Sequence, residues 1–194
     1  MLQYETFVNG LTLIKQVYLN FNISEESSMA WYEIIKCSIE EDAFLPLIFN
    51  YCKTESTPTC PADLIQFGRK ILISSLPEPA IVANLTWDAV TSMIFDDNFN
   101  YQYASASTKV EYLVNHIISI NYAGNQLYYK TIKTVITKFL DVLVDSRHEQ
   151  DATRKSILTS EFKTAYKDTM QDLSSRVVFT AGLLKASTPL LLER

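Results

Sequence analysis

The chain is poor in the residues that punctuate a fold. Its 194 residues include only four glycines and six prolines. A many-stranded β architecture needs a turn every few residues, and Gly and Pro supply most of those turns. Their scarcity favours helices joined by few loops. Cysteine is sparse as well: Cys37, Cys52 and Cys60 are odd in number and show no Cys-x-x-Cys spacing. That argues against a zinc knuckle or a disulfide framework and for buried or half-buried thiols in a reducing compartment. No run approaches the ~18 apolar residues of a membrane span. The opening Met-Leu-Gln-Tyr-Glu has neither the basic nor the apolar region of a signal peptide. A cytoplasmic protein is expected, with no membrane partner.

A basic excess is lacking too. Seventeen Lys and Arg face 22 Asp and Glu, a formal charge of −5, and residues 1–76 alone hold five basic and nine acidic side chains. Affinity built on phosphate contacts normally needs the opposite balance. Any nucleic acid contact is expected to be weak or indirect.

What the chain has is apolar periodicity. Hydrophobic residues make up 47% and charged residues 20%, enough for a substantial core in one domain or two small ones. Phe7, Leu11, Ile14 and Tyr18 form one stripe of a first helix over about 5–19. Ser24 suits the cap of a second helix that carries Trp31, Ile34 and Ile35. Ser38 with Glu41 has capping-box form and predicts the start of a third helix, in which Pro46 should cause a kink or a break. Pro61 and Asp63 open a fourth helix, with Leu64, Phe67 and Ile71 inward, running to about Ser74. Pro77 and Pro79 then mark the best boundary. Beyond it, stripes at Trp87–Ile94, Val110–Ile117, Ile132–Leu143 and Phe162–Leu173 predict four more helices, with a loop over 96–104 and turns near Gly124 and His148. The expectation is an all-α protein of about eight helices: a small N-terminal domain over 1–76, then a C-terminal helical bundle over 77–194 that ends in an apolar segment, 176–194.

Little in the pattern points to chemistry. The only histidines are His116 and His148, and His116 falls within an apolar helical stripe, where a structural role is the plainer reading. No Gly-x-Ser-x-Gly or His-Glu-x-x-His occurs, and none of the glycines leads into a phosphate-cradling loop closed by Lys-Ser or Lys-Thr. No enzyme, metal or cofactor is expected. Glu40, Glu41 and Asp42 are consecutive on a helix, so they point apart and suit a helix start better than a metal site. Tyr128, Tyr129, Lys130 and Lys133, with Lys138, interleave aromatic and basic residues. They could form a single-strand platform, but given the overall acidity a solvated helix face with lysines lying along it is the plainer reading.

One stretch carries a resemblance. Tyr18 and Phe21 stand as Tyr-x-x-Phe, Trp31 and Tyr32 follow on the next helix, and Thr57-Pro58-Thr59-Cys60-Pro61-Ala62-Asp63-Leu64 leads into another. This order resembles the N-terminal domain of the bacteriophage replicative-helicase loader/inhibitor family, where a Pro-Pro-Thr-Ile-Ala-Asp-like run opens a helix. Here Cys60 splits the two prolines. Weaker likenesses follow at Thr86-Trp87-Asp88-Ala89-Val90 and at Glu161, Phe162 and Tyr166. The resemblance implies an adaptor that binds the hexameric replicative helicase, holds it inactive or open, and delivers it to an origin complex, with an origin-binding initiator as a further partner. Without its own ATPase such a protein acts only through differential affinity for helicase states. The family places the helicase contact toward the C-terminal part. On that analogy Phe179, Leu183 and Leu184 would be apolar anchors, with Arg176 and Lys185 as flanking charges. The same segment could instead pack on the protein's own core. The alternative function is an inhibitory protein that sequesters a host replication factor and delivers nothing.

Overall fold

The amphipathic runs become eight α-helices in the computed structural model, which describes residues 1–118, 125–145, 152–180 and 182. These are α1 (Tyr4–Val17), α2 (Glu25–Ile35), α3 (Glu41–Thr54), α4 (Pro61–Ser74), α5 (Pro79–Phe95), α6 (Ala106–Ile118), α7 (Gln126–Asp145) and α8 (Ala152–Ser175). The protein is all-α: among the described residues the sole β feature is an isolated parallel bridge between Ile39 and Phe179. No described helix is long and apolar enough to cross a membrane.

The chain forms two compact units. The first comprises Met1–Ser75 and the segment that begins at Ser175, and the second is Leu76–Ser174. The proline-rich connection at 77–79 therefore falls at the start of the second unit. The terminal segment differs from the sequence expectation, because it joins the first unit and not the C-terminal bundle.

In the first unit α1 packs along α3, and α4 packs against both α2 and α3. Phe7, Leu11 and Ile14 from α1 meet Phe44, Leu47 and Ile48 from α3, all buried. The Phe7 and Phe44 rings lie 5.8 Å apart. Glu41, in the first turn of α3, accepts hydrogen bonds from the Gln3 backbone N–H and the Thr6 hydroxyl. One carboxylate thus caps the N-terminus of a helix remote in sequence and complements that helix's dipole. It also shows where the predicted capping box fails: the N-cap of α3 is Glu40, not Ser38. The Ser38 carbonyl serves the bridge to Phe179 instead. Pro46 does not interrupt α3, which continues to Thr54. Its ring is on the exposed side, as is Asp42, whose carbonyl loses its partner to the missing N–H, so water can satisfy that group.

In the second unit α5, α6 and α7 pack on one another. Val90, Met93, Leu113, Val114, Ile132 and Ile136 are buried there. From α8, Phe162 meets Phe139 edge to face at 5.8 Å, and the Tyr166 hydroxyl donates to the Pro77 carbonyl at 3.2 Å. Trp87 is fixed at both ends of its indole: Nε1 donates to Thr159 Oγ1 at 3.1 Å, and Lys155 Nζ sits 5.3 Å from the ring centre.

Candidate functional site

The residues that carry the family resemblance frame the first unit. Tyr18 closes α1 and donates from its hydroxyl to the Glu55 carbonyl at 2.8 Å, tying the end of α1 to the end of α3. Burial raises the Tyr18 phenol and the neighbouring Cys52 thiol above their ordinary pKa, so Cys52 is a poor nucleophile. Phe21 packs on Trp31 with ring centres 5.8 Å apart. Tyr32 reaches back to donate to the Leu2 carbonyl at 3.0 Å, and the Tyr4 ring meets it edge-on at 5.2 Å. The Thr57–Leu64 run does what its composition suggests. Pro61 takes the first turn of α4, and Asp63 accepts from the Cys60 backbone N–H at 3.3 Å. Splitting the proline pair with Cys60 leaves that helix start intact.

An apolar groove of about 440 Å³ lies beside this frame, between α2 and α4, lined by Trp31, Ile34, Pro61, Ile65 and Arg69 among others. Ile34 is 52% exposed, whereas its neighbour Ile35 is 2% exposed and belongs to the core. Adjacent residues on a helix point about 100° apart, and on α2 that difference puts Ile35 in the core and Ile34 at the surface. The sequence places Trp31, Ile34 and Ile35 on this helix without assigning Ile34 to the surface. Among the described residues, Arg69 is the one charged side chain lining the groove. Its Nη2 donates to the Ser175 carbonyl at 3.0 Å, while its Nε is buried without a hydrogen-bond partner. The groove can therefore bury apolar side chains beside one cation.

The C-terminal anchors are placed differently from the expectation. Phe179 is completely buried within the first unit, so its ring is not presented to a partner. Burial of such a ring contributes ~1.5–3 kcal/mol to the chain's own stability. The alternative given for this segment, packing on the protein's own core, describes Phe179. Arg176 is exposed beside it. Leu183, Leu184 and Lys185 lie outside the described residues.

The proposed single-strand platform also loses its first aromatic. Tyr128 is fully buried in the core of the second unit and offers no face for a base to stack on. Tyr129 is half-buried, and Lys133 lies over its ring at 5.6 Å. Lys130 and Lys133 are exposed. The four do not make an open stacking surface, because positions 128 and 129 point apart on α7. Among the carboxylates, Glu41 is engaged in capping α1, and no group of three His, Cys, Asp or Glu among the described residues could hold a metal ion. His116 stacks on Tyr112, with ring centres 6.3 Å apart.

Comparisons with protein-family models, with curated proteins and with solved structures find no match to this chain.

Proposed function

We propose that this protein is a phage DNA-replication adaptor that binds a hexameric replicative helicase and loads or inhibits it without an ATPase of its own. The reading is supported by the order Tyr18, Phe21, Trp31, Tyr32 and Thr57–Leu64. These residues are the tie points of one small helical unit and not a scatter of aromatics, which is how a shared domain would use them.

We assign the helicase contact to the groove between α2 and α4. Phe179 is enclosed, whereas Ile34 is an exposed apolar side chain at a concave, apolar surface. Central apolar anchors dominate interface energies, and a single cation at the rim favours a partner that brings a carboxylate. The partner surface expected here is an apolar helix face with an acidic residue set to meet Arg69.

Purified protein mixed with a hexameric replicative helicase, with and without ATP, should elute as a complex. Ile34→Asp should remove that complex and leave the helical circular dichroism unchanged. Phe49→Asp, at an exposed position on a separate groove between α1 and α3, should keep it. Failure of the wild-type chain to bind any replicative ring ATPase in any nucleotide state ends the adaptor reading. Helicase placement on single-stranded DNA then separates a loader, which raises it, from a sequestering inhibitor, which lowers it.

A further inference from the structure

After α8 the backbone returns to the first unit, and the residues around Phe179 run alongside the turn that precedes α3. The Phe179 N–H donates to the Ser38 carbonyl and the Glu40 N–H donates to the Phe179 carbonyl, each at 2.9 Å. The Phe179 ring is fully buried, and the α4 residue that faces it is Gly68. A methyl group at Gly68 would stand 2.9 Å from Cε1 and 3.0 Å from Cζ of the ring. The missing side chain is what makes room for the phenylalanine. The next residue of α4, Arg69, holds the Ser175 carbonyl at the end of α8.

A short extended segment is thus gripped by two main-chain hydrogen bonds and one side-chain notch, with a guanidinium holding the end of the helix that leads into it. This is the equipment with which proteins bind extended peptides: main-chain bonds give affinity and a pocket for one side chain gives specificity. The gripped residue is separated from the end of α8 only by Arg176, Val177 and Val178. A gripped segment joined to a helix by a short connection is also the situation in which identical elements exchange between copies.

We propose that the Gly68 notch and the Ser38–Glu40 backbone form a binding site for an extended, phenylalanine-bearing segment. The chain's own Val178–Thr180 fills it in cis, and the same segment of a second copy fills it in trans. A second copy is the occupant because it brings the same ring in the same backbone setting, so each contact given up in cis is regained in trans. What differs is mass action: the cis form prevails when dilute and the exchanged form when concentrated. The inference rests on the Phe179 geometry alone and is independent of any helicase.

Two full-length variants test it by complementation. Gly68→Val closes the notch and frees that chain's own tail; Phe179→Ala leaves the notch open and supplies no ring. Mixed together, they should form a 1:1 complex of about twice the 22.1 kDa chain mass by light scattering. That complex should be lost when Phe179→Ala is also placed in the Gly68→Val chain. The proposal is overturned if the folded variants stay monomeric when mixed, or if the complex forms without any Phe179. Should either variant lose its helical spectrum, hydrogen exchange on the wild-type chain decides. The amides of Phe179 and Glu40 should exchange at least tenfold faster than that of Ile48 in α3, through local opening. Exchange of all three only on global unfolding overturns the proposal.

Discussion

Gly10 of α1 and Phe44 of α3 occupy one shared volume: a methyl group at Gly10 would come within 3.0 Å of the Phe44 Cζ and closer still to Cε1. The two helices approach this closely because residue 10 has no side chain. In an exposed helix Gly→Ala gains roughly 0.5–1 kcal/mol; here the sign should reverse. Gly10→Ala is expected to cost ~1–3 kcal/mol through overpacking, and Phe44→Leu in the same chain should recover part of it. Trp31 and Trp87 are the chain's two tryptophans, one in each unit. Urea unfolding followed by Trp31 fluorescence, in a Trp87→Phe background, should therefore register the loss in the first unit.

Glu41 gives the first unit a dependence on acid. Its hydrogen bonds from Thr6 and from the Gln3 backbone hold its carboxyl below the usual Glu range. A carboxylate with a lowered folded pKa stabilises the fold fully above its unfolded value, and that contribution fades as pH falls through the folded value. Glu41→Gln should therefore be less stable than wild type at neutral pH. The gap should narrow as the pH drops below the ordinary Glu range and close once Glu41 is protonated. Denaturation midpoints of both chains between pH 7 and about pH 2 give the check.

Tyr32 offers a cleaner single-bond test. Its hydroxyl donates to the Leu2 carbonyl at 3.0 Å in a half-buried setting, and the ring contacts survive in phenylalanine. Tyr32→Phe should cost about 0.5–1.5 kcal/mol. The amide of Phe7, bonded to Gln3 at the start of α1, should exchange faster as the N-terminal residues loosen.

The loop after α5 is pinned by one carboxylate. Asp96 accepts from the Asn98 backbone N–H and from the Tyr112 hydroxyl, both at 2.9 Å, and these bonds lower its pKa. Burial, and then Asp96 itself, raises the Tyr112 phenol above its ordinary value. The signs oppose: Asp96 stabilises above its unfolded value and loses effect toward acid, while Tyr112 stabilises below its unfolded value and loses effect as pH rises through the folded one. Asp96→Asn should therefore bring the Tyr112 ionisation, followed by the NMR shifts of its ring, to lower pH. An unchanged titration would show that the carboxylate does not set the phenol's pKa.

Much of the fold was legible because the signals are local. The stripe Phe7, Leu11, Ile14 repeats with the helical period and needs no partner to be recognised, and Pro61 with Asp63 marks a helix start through backbone chemistry within four residues. The boundary near residue 76 was equally local, since prolines at 77 and 79 disfavour continued helix. Pro46 does not break α3, because a proline removes one hydrogen bond wherever it stands and burial decides whether that loss matters. On the exposed side of α3, the Asp42 carbonyl is open to water.

The sequence by itself determined that this is a helical protein, where most of its helices lie, and which aromatics anchor the first unit, because period, caps and breakers act over a few residues. Tertiary structure alone decided the rest. It buried Phe179 against Gly68, turned Tyr128 inward, set Ile34 outside while Ile35 went to the core, and drew Glu41 to α1. Each of those outcomes depends on which surface arrives from a distant part of the chain, and no local pattern encodes the shape of a neighbour that has yet to arrive.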